Sequence, residues 1–584
     1  MDLQKWHWRV SATFCCLLAV LLAIRYTSFL SSANERLWIK SSLTGNNFSW
    51  EKLSPSKELK WTDCYTGRQC ARLIVPLNHS DPEGRKAAIA LIRKPAAVPT
   101  TSPLYRGPIL FNPGGPGGSG VDFVRDRGDL LSAIVGPSFD VVSFDPRGVS
   151  RSTPRASFFK TDTDRSLFGI ELGLSFVNNS LEGVARSWAR AQVVGKLAAE
   201  TDDGYLRHIN TDQTAHDMLR IVEAHGRSKI QYWGFSYGSV LGATFAAMFP
   251  DKIERLIVDG VIDAENYYEV LWTKNLLDVD EAMDSFFRGC HSAGPDKCDF
   301  WAPSANDIRK KLTNIYDNLK SRPIPINTKK GYGLVDYAMV RELVFRSLYS
   351  PYASFKPLAS ALEAISAGNG SLAFDMAFIP PNKCSCDPPD GSSHNVADAQ
   401  NALVCNDGVD VPEDLASFEE YFESLSRDTV WSEIWASVRL SCVGWPKFPK
   451  DHFQGPFVAN TSHPILFVGN TADPVTPLWA AKKMSEGFKG SVVLTQNSVG
   501  HCTISGPSLC TQKHIREYLV SGTLPNPGTV CEAIGTPFSP PTGIPYEDYS
   551  GQKVFDSKVS EQSDLQGTDK EILDAVIEFS QVYF

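Results

Sequence analysis

The chain has 584 residues, a formal net charge of -9 and a pI near 5.7, with 42% hydrophobic and 21% charged residues. That length allows a large core with an inserted second unit, and the composition is globular rather than disordered. The acidic balance gives no basic footprint for nucleic acid, so no nucleic-acid partner is expected.

The N-terminus departs from this composition. Lys5 and Arg9 precede the apolar run "ATFCCLLAVLLAI" from Ala12 to Ile24, and Arg25 ends it. Thirteen residues suit the core of a secretory signal, whereas a spanning helix needs roughly 20. Residues 1–33 are expected to be a signal peptide cut near "SSA", or else a short signal anchor, the only route by which a membrane partner is expected. The bulk of the chain should then enter the secretory route and be secreted. Sequons at Asn47, Asn78, Asn178, Asn369 and Asn460 agree with glycosylation there. So do 13 cysteines, two of them in the leader. The close pairs Cys64/Cys70 and Cys290/Cys298 suit small disulfide loops, although spacing does not fix connectivity. The odd number left outside the leader implies at least one unpaired thiol. No pair has metal-site spacing, and no metal or organic cofactor is expected.

Residues 34–60 read as a polar lead-in. From about Trp61, short apolar runs alternate with turns: Ala87–Lys94, Pro108–Asn112, Phe139–Asp145, Lys229–Phe235 and Glu254–Asp259. Their near-continuous apolar character suits strands covered on both faces by helices. The amphipathic run Asp212–Gly226 reads as one such helix, stopped by its glycine. An α/β fold with a mostly parallel sheet follows, its first part over residues 61–263. Between 264 and 455 the strand signal disappears. That segment reads as a largely helical insertion, a lid or cap, with "NDIRKKLTNIYDNL" as an example. The sheet resumes over 456–535 with Pro464–Gly469 and Gly490–Thr495. Residues 536–584 read as a Pro/Gly/Ser-rich tail with one terminal helix in "DKEILDAVIEFSQVYF".

Four post-strand loops carry chemistry. In "GFSYGS" a strand ends at Phe235, Ser236 lies between Gly234 and Gly238, and a small-residue helix follows. This strand–turn–helix setting holds a serine hydroxyl above a sheet on a strained turn. A serine needs a base. "PILFVG" runs into "NTADPVTP", which puts Asp473 past one strand, and "GSVVLT" runs into "QNSVGHC", which puts His501 past the next. All three then sit at the carboxyl edge of the sheet, with Ser236 as nucleophile, His501 as general base and acid, and Asp473 as orienting carboxylate. The loop "FNPGGPGGSG" follows the strand at Pro108. Because Pro116 has no N–H, Gly115 is the expected oxyanion donor, with the Tyr237 N–H as the second. This loop lacks the Lys-Ser/Thr of a phosphate cradle. Asp145 and Arg147, in "FDPRGVSRSTP", are assigned a structural role.

Together "NPGGPGG", "DPRGVSRS", "GFSYGS", "NTADPVTP" and "GHC" resemble the α/β-hydrolase superfamily, in particular its prolyl and tripeptidyl aminopeptidase branch of secreted serine exopeptidases. "PSLCTQKHIREYLVSGTLPNPGTVCE" is similar to the C-terminal module of the tripeptidyl type and implies a Cys510–Cys531 bridge. "ALVCND" and "SCVGWP" imply Cys405–Cys442. Ser150 departs from the glycine that such loops often carry. The resemblance implies release of residues or short peptides from free N-termini, with lid carboxylates holding the substrate ammonium. Asp407 and Glu265 are the candidates. A carboxylesterase or lactone hydrolase with the same triad is the alternative. A silent binding protein on the same fold is a third reading, opposed by the complete set of site residues.

Overall fold

The computed structural model describes residues 48–172, 177, 182–377, 395–541, 546–547, 553–554 and 566–582. The leader, Asn47, Asn178 and Cys384 and Cys386 lie outside them. Twelve strands concern the site and its surroundings: β1 (Thr62–Asp63), β2 (Gln69–Pro76), β3 (Lys86–Lys94), β4 (Gly107–Asn112), β5 (Phe139–Phe144), β6 (Ile230–Phe235), β7 (Ile253–Asp259), β8 (Ile324–Asn327), β9 (Tyr332–Val335), β10 (Leu466–Ala472), β11 (Val492–Val499) and β12 (Val530–Glu532). Ten of them form one sheet in the order β1-β2-β3-β5-β4-β6-β7-β10-β11-β12. The β1–β2, β2–β3 and β3–β5 pairs are antiparallel, and the pairs from β5–β4 onward are parallel.

The parallel strands are buried on both faces because their side chains alternate between two cores. Leu110, Val142, Tyr232 and Leu256 join the core on one face, while Ile109, Val141, Trp233 and Ile257 join the core on the other. Helix Thr211–Ala224 covers the first face; helix Gly120–Val135 covers the second, and there Phe579 of the terminal helix Thr568–Ser580 lies 6.4 Å from Phe123. The order reverses at β4, which has β5 on one side and β6 on the other. The loops after β4 and β6 therefore leave the sheet together at a topological switch point.

Between β7 and β10 the chain forms helices: Ala305–Ser321, Tyr337–Ser347 and Pro351–Ser366 pack around their own core of Phe286, Leu312, Leu343 and Phe355, while Val396–Asp407 packs its Ala399, Ala402 and Leu403 into the first core of the sheet. Among its described residues the segment 264–455 is largely helical, with one short exception. β8 and β9 form a small antiparallel hairpin within it, closed by Thr328 N–H to the Gly331 carbonyl at 2.8 Å. Its strands are four residues each and carry Pro325 and Gly333, so they offer no apolar run to read. β2 also escaped the sequence reading, because it alternates buried and half-buried residues. Cys64–Cys70, Cys290–Cys298, Cys405–Cys442 and Cys510–Cys531 are bonded, and Cys502 is a buried free thiol. Asn369 and Asn460 are exposed and Asn78 is half-buried. Among the described residues no helix is long and apolar enough to cross a membrane.

Candidate active site

Four loops meet at the carboxyl edge, after β4, β6, β10 and β11. The turn after β6 is set by backbone geometry. Ser236 has φ 57 and ψ -121, a strained conformation for a residue with a side chain. It is held from three sides. Its N–H donates to the Asp259 carbonyl at 2.9 Å, and its carbonyl accepts from Ser239 N–H at 2.7 Å and Ser239 Oγ at 2.6 Å. The turn is too tight for a side chain before it. A Cβ on Gly234 would lie 2.4 Å from the Gly238 carbonyl oxygen. Across the gap, Gly114 has φ +94, and a Cβ there would lie 2.5 Å from the Phe235 carbonyl oxygen and 2.8 Å from Ser236 Cβ. The two loops thus approach at backbone distance. Asn112 Oδ1 fixes the second by accepting the Gly114 N–H at 2.9 Å. Gly115 follows with φ +116, and its peptide to Pro116 is cis. Tyr237 is the first residue of helix Tyr237–Met248, so its N–H has no acceptor within that helix.

His501 Nδ1 lies 3.1 Å from both oxygens of Asp473. Asp473 is fully buried and further accepts Val475 N–H (3.0 Å), Thr476 N–H (2.9 Å), Thr476 Oγ1–H (2.6 Å) and Cys502 N–H (2.9 Å). Burial pushes this carboxyl up, but the charge and hydrogen bond of His501 and these donors outweigh it and hold it below the usual range. His501 is anchored from the other side as well: its N–H donates to the Tyr349 carbonyl at 2.9 Å, and the Tyr349 ring meets the imidazole edge-on at 5.1 Å. Gly115, Ser236 and His501 line one cavity of about 430 Å³. The arrangement offers a hydroxyl, an imidazole oriented by a carboxylate, and backbone N–H groups across a narrow gap. It is suited to attack on a carbonyl carbon.

A family model described as "alpha/beta hydrolase fold" matches residues 107–296, and one described as "TAP-like protein" matches 428–531. The chain belongs to the α/β-hydrolase superfamily. It is similar to the serine protease Hip1 of Mycobacterium tuberculosis, with 27% identity over 81% of this chain and 91% of that protein. It matches the tripeptidyl aminopeptidase of Streptomyces lividans at 27% over 82% and 87%, and carboxylesterase B of Mycobacterium tuberculosis at 27% over 79% and 86%.

In this α/β hydrolase the two acids expected to face the substrate lie away from the cavity. Asp407 is fully buried beside the N-terminus of helix Thr211–Ala224. It accepts Thr211 N–H and Thr211 Oγ1–H, each at 2.6 Å, and Tyr267 O–H at 2.8 Å. Thr211 Oγ1 in turn lies 2.6 Å from the Tyr237 phenol oxygen. Asp407 is therefore a satisfied carboxylate bracing the hydrolase core. Glu265 is exposed and paired with Lys483 at 2.7 Å. The carboxylate that does line the cavity is Glu342, on helix Tyr337–Ser347, paired with Arg346 at 2.5 Å. The sequence offered no signal for it, since it sits in an ordinary helix of the insertion. Thr476 was legible in principle, three residues after Asp473, where a hydroxyl reaches back to the acid. Asp145 and Arg147 take separate partners. Asp145 accepts Ser119 Oγ–H (2.6 Å) and the N–H groups of Val121 and Arg151 (3.0 Å each), while Arg147 pairs with Asp217 at 2.6 Å. Ser150 has φ 43, which accounts for the glycine preference at that place.

A second buried acid, Asp259, ends β7. It accepts Thr503 N–H (2.9 Å), Thr503 Oγ1–H (2.5 Å) and the Trp233 indole N–H (3.3 Å). Burial raises its carboxyl to about 6, with Asp473 adding to the rise. The folded chain therefore keeps a proton there up to about pH 6 that the unfolded chain releases near 3.8. The stability tied to that proton is present below pH 4 and lost as pH rises to about 6. Removing this group with Asp259→Asn should make the variant gain on wild type by on the order of 3 kcal/mol across that window. Urea unfolding at pH 4, 5, 6 and 7 checks this, and a constant difference would refute it.

Proposed function

We propose that this hydrolase is a secreted serine exopeptidase that releases residues or short peptides from free N-termini. The observation that carries the proposal is Ser236 on its strained turn, sharing one cavity with a His501 imidazole bound to Asp473. Ser236 Oγ attacks the scissile carbonyl while His501 takes its proton. The Gly115 and Tyr237 N–H groups bind the oxyanion. The C–N bond breaks, His501 passes the proton to the departing amine, and water hydrolyses the acyl-enzyme. Asp473 holds the imidazole in the tautomer that presents Nε2 as base. The segment 264–455 acts as the cap. Glu342 replaces Asp407 and Glu265 as the group that holds the substrate ammonium, since it is a carboxylate on the cavity wall. The relatives named serine protease and tripeptidyl aminopeptidase support the peptidase class.

The similarity to carboxylesterase B supports one second reading, an esterase using the same triad. A chromogenic tripeptide with a free N-terminus, its N-acetylated form and a p-nitrophenyl ester separate the two. Cleavage of the free peptide with at least about a tenfold loss on acetylation is expected, the scale of one lost charge-assisted contact. Ester cleavage with both peptides untouched would sink the exopeptidase reading.

A further inference from the structure

The walls of the cavity come from the segment between β7 and β10 and from the loops around it, and they differ in character from its catalytic floor. Trp272, Phe345 and Trp435 form an aromatic corner, with Trp272 and Trp435 edge-on at 6.0 Å and Phe345 6.2 Å from Trp435. Ile262, Val438 and Val475 extend the apolar surface. Glu342 and Arg346 are paired with each other one helical turn apart. The indole N–H groups of Trp272 and Trp435 are buried with no acceptor.

We infer that this aromatic corner is the acyl-side specificity subsite, built for a large apolar side chain on the residue immediately before the broken bond. The inference rests on the exopeptidase reading and names its substrate class. In the acyl-enzyme it is the acyl portion that stays covalently on Ser236 while the amine departs. The space beside Ser236 is thus filled by the acyl residue through both half-reactions. An apolar side chain there removes its own surface and that of the corner from water. A lysine or glutamate side chain must shed its hydration against these apolar walls.

The test uses the full enzyme on Ala-Ala-X-p-nitroanilides with free N-termini, where X is Phe, Leu, Ala, Lys or Glu. The kcat/KM for Phe and Leu should exceed that for Ala by roughly tenfold or more, and those for Lys and Glu by about a hundredfold. In Trp435→Ala the Phe-to-Ala ratio should collapse towards unity, whereas damage to folding alone would lower all five substrates together. Val438→Trp provides a second variant; it fills the corner and should reverse the ratio in favour of Ala. Cleavage of all five peptides at like rates, or a preference for Lys or Glu, overturns the inference and leaves the exopeptidase reading standing. Failure to cleave any free peptide, with the p-nitrophenyl ester still turned over, overturns both.

Discussion

Ser236→Ala is expected to lower kcat by about 10⁴-fold or more, with the folded structure retained. The hydroxyl forms the bond to the substrate, so nothing else in the site can replace it, and the residual rate comes from the oxyanion donors and binding alone. The strain at φ 57 belongs to the turn, and alanine bears it as serine does. The backbone bonds to Asp259 and Ser239 also survive the substitution. Thermal unfolding should therefore change little while a fluorophosphonate label on the protein disappears. A variant that keeps more than a few per cent of wild-type kcat, or that still takes the label, would remove Ser236 from the role proposed for it.

Asp473→Asn is expected to be nearly as damaging, with a loss in kcat of about 10⁴-fold, and for a different reason. Asp473 is an acceptor in every bond it makes: two backbone N–H groups at Oδ1, Thr476 Oγ1–H and Cys502 N–H at Oδ2, and His501 between them. An asparagine must put an NH₂ group at one of these places. At Oδ1 it faces the Val475 and Thr476 N–H groups. At Oδ2 it faces Cys502 N–H and favours the His501 tautomer with its proton on Nε2, which cannot act as base. Either way a buried donor loses its acceptor, at about 1–3 kcal/mol, so stability should fall as well as rate. Stopped-flow acylation measured against denaturant midpoint checks both. An Asn variant with wild-type acylation would show that Asp473 orients nothing.

The proposed catalytic half of this molecule is legible in the amino-acid sequence because its chemistry sits at strand ends. A buried strand leaves an apolar run, and the runs ending at Phe235, Gly469 and Thr495 announce the strands, which extend to Phe235, Ala472 and Val499 with Ser236, Asp473 and His501 just beyond them. Glycines at 114 and 234 advertise close backbone approach in the same way, since any Cβ there would meet main-chain atoms. Those signals are local, and the parallel sheet brings them to one edge whatever fills the rest of the chain.

The binding half was decided by tertiary structure. Asp407 follows a cysteine in a distinctive stretch and drew attention, yet it folds inward to hold Thr211 and Tyr267. Glu342 has no motif about it, and it reaches the cavity because helix Tyr337–Ser347 packs over the sheet edge. Trp272, Phe345 and Trp435 are far apart in sequence and meet only in space. Helical periodicity reports which face of a helix is buried, but not whether it faces a core or a cavity, and both look alike to an apolar side chain. By itself, then, the sequence determined the parallel strands that carry the site, the elbow and the order of the proposed triad, because these depend on strand ends and backbone sterics. Which carboxylate and which aromatic rings line the cavity was settled only by how the inserted helices pack on that edge.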